Sequence, residues 1–295
     1  MFTARLQFDP ASLAKYGRLT LIAREIVEGF LSGVHKSPYK GFSVEFAEHR
    51  QYYPGDEIRH IDWRAFGKTD RYYIKEYEEE TNLQAHLLVD ASGSMAFRGK
   101  GPSKFEYAQY LAASLAYLML HQLDAVGLAI HDNRLRELIV PRANAKHLLH
   151  LIHTLEKTRP GGETRLAPLW HQLAVQLKRR GLVIILSDCF DQIGPLLYAL
   201  RHLRHRRHEV LLFHILAPEE IDFPFSKWTQ FRSLENADDK VLVDSRRLRA
   251  EYERNFRGFC RQLCEQVGKM QIDYHLMRTD EPVERALGVY LRKRQ

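Results

Sequence analysis

The sequence predicts an α/β fold: a doubly wound, mostly parallel sheet flanked by helices, with a smaller β-rich N-terminal section ahead of it. Three observations carry this expectation. From Leu83 onward, apolar runs of strand length alternate with longer runs of helical periodicity, the pattern of a parallel sheet joined by crossover helices. Two of the short runs, "AHLLVD" and "LVIILSD", are apolar almost throughout, as strands buried on both faces must be. Both of them stop at an aspartate, Asp90 and Asp188.

The chain has 295 residues, enough for one large domain or two modest ones. An apolar share of 45% against 27% charged residues fits an ordinary globular chain. Lys plus Arg is 44 and Asp plus Glu is 37, a formal charge of +7. That balance allows an acidic partner without demanding nucleic acid. Cys189, Cys260 and Cys264 are too few and wrongly spaced for a disulfide framework or a zinc site. The opening residues lack the apolar core of a signal peptide, and "LAASLAYLML" and "VLLFHIL" fall short of the roughly 20 residues a membrane helix needs. The expectation is a reduced, cytoplasmic protein without a membrane span.

Taken in order, residues 19–34 place Leu19, Ile22, Ile26 and Phe30 on one helical face. The following segment alternates in polarity and is broken at Pro54-Gly55, and "RYYIKEYEEE" (71–80) reads as a strand with an acidic end. Residues 1–82 are therefore expected to form a helix and a β-rich section, and 83–295 the α/β domain. Within the latter, helices are expected at 104–123, 144–157, 167–181 and 192–207. Strands are expected at 125–132, 134–140, 182–188 and 209–216. Residues 218–244 interrupt the alternation with a hairpin turning at Asn236–Asp239. A helix over 246–268, a strand over 271–277 and a helix over 283–293 resume it.

Function is sought where the apolar strands end, because open parallel sheets bind ligands beyond their carboxyl edge. Asp90, Ser92 and Ser94 cluster after the first buried strand. Asp188 ends the other, and Thr164 follows "RPGGE" and opens a helix. If the two strands are neighbours, two carboxylates and three hydroxyls converge with no sulfur or imidazole. That donor set suits a hard cation, Mg²⁺ or Mn²⁺, that keeps some of its water. The plainer alternative is that the serines cap a turn and Asp188 caps a helix.

With these residues in hand, the chain is similar to known families. "DASGS", Thr164 and Asp188 resemble the metal-ion-dependent adhesion site of von Willebrand factor type A domains. "YYPGDEIRHIDWRAFGKTDRYYIKEYEEE" and "DYHLMRTDEPVERALGVYLRKR" resemble bacterial proteins of the domain-of-unknown-function-58 family. That resemblance implies metal contacts from Ser92, Ser94 and either Thr164 or Asp188, with Asp90 acting through water and hydrogen bonds to the serines. It also implies a MoxR-type AAA+ ATPase as partner, and no enzymatic reaction. Where the family often reads Ser-Ala-Arg-Thr, this chain has Phe66-Gly67-Lys68-Thr69, so a role needing a bidentate arginine is not carried over.

Other features have bland readings. "RHLRHRRH" (201–208) can meet phosphate or an acidic surface, yet positive charge also suits the carbonyl end of a helix. The acidic run 76–80 reads as a screened strand edge. Asp56, Arg59, Asp62 and Arg64 read as internal ion pairs of the first section. The 15 histidines are scattered without HExxH spacing. Three functions follow from different classes. The first is a metal-dependent protein-interaction module working with an acidic partner residue. The second is a Mg²⁺-dependent hydrolase acting on phosphate esters, although Ser92 stands where such enzymes carry their second aspartate. The third is a scaffold with a vestigial site.

Overall fold

The computed structural model describes residues 18–35, 49–51, 72–75, 83–235 and 239–294. These fall into two compact units. One holds the chain up to Ser32 together with Leu83 onward, and the other spans Gly33–Asn82.

In the smaller unit, β1 (His49–Gln51) pairs antiparallel with β2 (Tyr73–Lys75), Arg50 opposite Ile74. The turn expected at Pro54-Gly55, the acidic run 76–80, the ion pairs of Asp56, Arg59, Asp62 and Arg64, and the 66–69 segment lie outside the described residues.

The larger unit begins with α1 (Arg18–His35). Its apolar face carries Leu19, Ala23 and Val27 into a hydrophobic core shared with the helices and strands after residue 83. The Leu19 amide donates to Glu156 Oε1 at 3.0 Å. The helix assigned on sequence to the 1–82 section therefore packs with the α/β body.

That body is one six-stranded sheet. Its strands are β3 (Gln84–Asp90), β4 (Ala125–His131), β5 (Leu135–Arg142), β6 (Leu182–Ser187), β7 (Glu209–Leu216) and β10 (Asp273–Arg278). Across the sheet they run β10-β7-β6-β3-β4-β5, all parallel except the edge strand β5, which forms a hairpin with β4. Strands β8 (Trp228–Arg232) and β9 (Lys240–Asp244) form a separate antiparallel hairpin, as the sequence suggested.

One face of the sheet is covered by α1, α2 (Lys104–His121), α3 (Ala145–Lys157) and α8 (Glu284–Arg294). The other is covered by α4 (Leu166–Gln176), α5 (Ile193–His205) and α7 (Ser245–Lys269). Helix α2 is buried nearly all round, from Lys104 to Leu120, which explains why its sequence lacks a polar stripe. A capping box starts it: Ser103 Oγ accepts from the Glu106 amide at 3.1 Å and Glu106 Oε2 accepts from the Ser103 amide at 2.8 Å.

Two boundaries differ from expectation. Helix α4 stops at Gln176 instead of running to Gly181, and the Leu177 carbonyl just past its end is bonded by His208 Nε2 at 3.2 Å. A short helix α6 (Pro218–Asp222) follows β7; its proline sits in the first turn, where the missing amide has no partner to lose. The basic 201–208 run closes α5: Arg204 donates to the carbonyls of Met270 and His208 at 3.0 and 2.8 Å. All three cysteines are free. Among the described residues, no helix is long and apolar enough to cross a membrane.

Candidate metal centre

The strand order brings the site together. From β3 the chain goes to β4 on one side, and returns to β6 on the other. The carboxyl ends of β3 and β6 thus flank the point where the winding reverses, the crevice in which such sheets bind ligands. Asp90 ends β3 and Asp188 directly follows β6.

Asp90 is fully buried, and both its oxygens are engaged. Oδ1 accepts from the Ser92 amide at 2.9 Å, and Oδ2 accepts from Ser187 Oγ at 2.6 Å. Ser187 in turn accepts from the Cys189 amide at 2.9 Å, which fixes the hydroxyl's direction. The Ser92 and Ser94 hydroxyls lie 3.1 Å apart on the tight turn after the strand.

The loop that leads to Thr164 is tied to this turn by backbone bonds at Gly161 and Gly162, three and two residues before the threonine. The Gly93 amide donates to the Gly162 carbonyl at 2.9 Å, and the Gly161 amide to the Ala91 carbonyl at 2.9 Å. Gly162 has φ +84°, a conformation that favours glycine, and a Cβ there would stand 3.0 Å from Asp132 Oδ2. Arg136 clamps the same loop: it pairs with Asp132 and donates to the carbonyls of Arg159 and Gly161 at 2.7 and 2.5 Å. Asp191, from the loop after β6, caps α4 by accepting from the Leu166 and Ala167 amides at 2.8 and 3.2 Å. The Thr164 hydroxyl donates to Glu235 Oε1 on the β8–β9 hairpin.

Asp188 is also fully buried. Its Oδ2 accepts from Lys104 Nζ at 2.7 Å and its Oδ1 from the Phe190 amide at 3.2 Å. Lys104 also pairs with Glu220 Oε1 at 2.6 Å, and lies 4.7 Å from the centre of the Phe190 ring. His214 Nε2 donates to the Asp188 carbonyl at 2.8 Å; burial keeps the ring neutral, which leaves Nδ1 to accept from the Tyr274 hydroxyl at 2.7 Å.

The charges follow from this packing. Burial pushes the Asp90 carboxyl up to about 7, the neighbouring Asp188 adds to the rise, and its hydrogen bonds from Ser187 and Ser92 only partly offset it. Burial works against the charge on Lys104, but Asp188 and Glu220 outweigh it and hold it above its ordinary value. Two carboxylates, Asp188 and Glu220, thus share one ammonium, and Asp90 stands close enough to Asp188 to feel its charge without an ammonium of its own. The donor set is all oxygen and its buried negative charge exceeds its positive charge, which fits a hard divalent cation.

Sequence reasoning missed three contributors, Lys104, Glu220 and Glu235. Lys104 left a trace, since a lysine in the first turn of a helix runs against the helix dipole and needs a compensating acid. Glu235 left none.

The same burial sets an acid limit on the fold. Burial lowers His86 to about 4, His131 to about 3 and His214 to about 4. Each ring stays neutral in the fold while the unfolded chain takes up a proton below about 6.5. Their contribution is complete above that pH and is lost toward 4, by about 1.4 kcal/mol per unit for each ring. Asp90, raised to about 7, and Glu220, also raised by burial, act in the opposite sense, but they are two groups against three. Melting curves in EDTA are expected to show Tm falling steadily from pH 6.5 to pH 4.5. A flat or rising Tm would show that these rings accept protons inside the fold.

A doubly wound, mostly parallel sheet with this strand order and helices on both faces defines an α/β protein with its crevice where the winding reverses. The chain belongs to the family described as "Protein of unknown function DUF58", whose profile matches residues 48–258. Relatives include "Uncharacterized protein Rv1480" of Mycobacterium tuberculosis and "Uncharacterized protein Mb1516" of Mycobacterium bovis. Each is 28% identical over 221 residues, covering 73% of this chain and 68% of the relative. Among solved structures, the chain is similar to the conserved hypothetical protein BatB from Bacteroides thetaiotaomicron. The TM-score is 0.50 at 14% identity, over 72% of this chain and 98% of that one, a likeness of fold alone. A weaker similarity, TM-score 0.43 at 10% identity over 70% of this chain and 94% of the other, is to the SpRpn10 VWA domain.

Proposed function

We propose that the cluster is a Mg²⁺ or Mn²⁺ site through which a cytoplasmic adaptor docks an acidic side chain of a partner protein. The observation that carries this reading is the oxygen cluster itself. Ser92 and Ser94 hydroxyls lie 3.1 Å apart, backed by buried Asp90, on a turn tied by the Gly93–Gly162 bond to the loop of Thr164. Ser92, Ser94 and Thr164 would hold the cation, and Asp90 would orient the serine turn from behind. Asp188, engaged by Lys104, would supply negative charge without contact. When bound, the ion supplies an electrophilic centre for a carboxylate. Neutral hydroxyls leave that centre its charge, whereas three carboxylates would quench it.

The partner we favour is a MoxR-type AAA+ ATPase, or a substrate it remodels. The fold suits interaction more than catalysis. A phosphate-ester hydrolase needs a proton donor two residues after Asp90, and Ser92 stands there with its hydroxyl beside Ser94.

The test is capture of the ATPase by the full chain with Mg²⁺ or with EDTA. Binding is expected in Mg²⁺, lost in EDTA, and lost in Ser92→Ala in either condition. Unchanged capture in EDTA would remove the metal bridge.

A further inference from the structure

We infer that Glu235 is the chain's own carboxylate for this site, and that the β8–β9 hairpin acts as a cap that an incoming acid must displace. The inference rests on the cation reading above and names a regulation of that same site. Two independent contacts place Glu235 at the rim. The Thr164 hydroxyl donates to its Oε1. On the other side, the hairpin sits directly on Gly93, the residue between the two serines. A Cβ at Gly93 would stand 2.6 Å from the Leu234 carbonyl oxygen and 3.0 Å from Glu235 Cγ. Glu235 therefore touches both the loop that carries Thr164 and the turn that carries Ser92 and Ser94.

The approach is built, not incidental. Five residue pairs join β8 to β9, from Trp228–Asp244 to Arg232–Lys240. Phe231 anchors the hairpin against Phe225 and Phe223, with ring centres 5.2 and 6.0 Å away, and Phe223 packs on Tyr252 of α7 at 4.5 Å. The Ser233 hydroxyl accepts from the Glu235 amide at 3.2 Å. Among the described residues no Lys or Arg pairs with Glu235, although the surrounding chain is rich in both. A carboxylate aimed at a hydroxyl beside a cation site, with no basic side chain to satisfy it, has the chemistry of the ligand the site is meant to receive. An internal acid lowers the apparent affinity for an external one by the fraction of time it is in place.

The test uses the full-length protein, Mn²⁺ and the probe acetyl-Gly-Glu-Gly-amide. Mn²⁺ binding is followed by the paramagnetic resonance of the free ion and probe binding by calorimetry. Glu235→Gln is expected to bind the probe in Mn²⁺ about tenfold more tightly than the parent, the size of one lost hydrogen-bonded competitor. Phe231→Ala, which loosens the hairpin's anchor while leaving the Glu235 carboxylate intact, is expected to shift probe affinity in the same direction. If the parent binds Mn²⁺ but neither variant gains affinity for the probe, the cap is wrong and the cation site stands. If the parent binds no Mn²⁺, both fail together.

Discussion

Lys104→Met is expected to be among the most damaging single changes in the protein, costing about 3–5 kcal/mol and lowering Tm by roughly 10 °C. The ammonium has 1% of its side chain exposed and bonds Asp188 and Glu220 at 2.7 and 2.6 Å. Methionine fills the volume but leaves two buried carboxylates facing each other across an apolar wall that includes Phe190. The penalty comes from those uncompensated charges and not from the bond itself, because a buried ion pair roughly breaks even against well-packed neutral groups. That distinction is measurable. The triple variant Lys104→Met, Asp188→Asn, Glu220→Gln is expected to recover most of the lost Tm. A single variant that melts within a degree or two of the parent would mean the pair is solvated in solution.

Asp90→Asn is expected to separate stability from binding. Burial already pushes this carboxyl up to about 7, so at pH 8 the metal-free fold carries its charge at a loss. An amide keeps an acceptor for the Ser92 N–H and removes that charge. The melting point in EDTA should therefore hold or rise, while Mn²⁺ affinity falls about 10–100-fold, the usual effect of losing a group that orients metal ligands. Thermal melts and a Mn²⁺ titration of the same preparation check both signs. A fall in Tm with affinity intact would make Asp90 a structural residue only.

The sequence made the architecture readable because its central strands have no solvent face. "AHLLVD" and "LVIILS" become β3 and β6, side by side in the middle of the sheet, and both end where a polar cluster can be held. The antiparallel edge β5 was less visible as such, since its mostly exposed pattern fits either direction. The α1 helix showed its apolar stripe but not its destination: the packing of Leu19, Ala23 and Val27 and the Leu19–Glu156 hydrogen bond tie it to the later chain. At the site, local spacing pointed to Asp90, Ser92 and Ser94. Lys104 lies 84 residues from Asp188, Glu220 lies 116 from Lys104, and Glu235 lies 71 from Thr164. No local pattern encodes pairs that only the folded sheet brings together.

The peptide-to-peptide links between Gly93 and Gly162, and between Gly161 and Ala91, belong to the main chain; they need glycine at 93 and 162 but do not involve the serine side chains. If the cluster holds the proposed cation, exchanging Ser94 for aspartate is expected to change which ion it prefers while these main-chain links stay in place. The frame and the candidate ligands are thus separable: one is main chain, the other side chain, and each can be altered without the other.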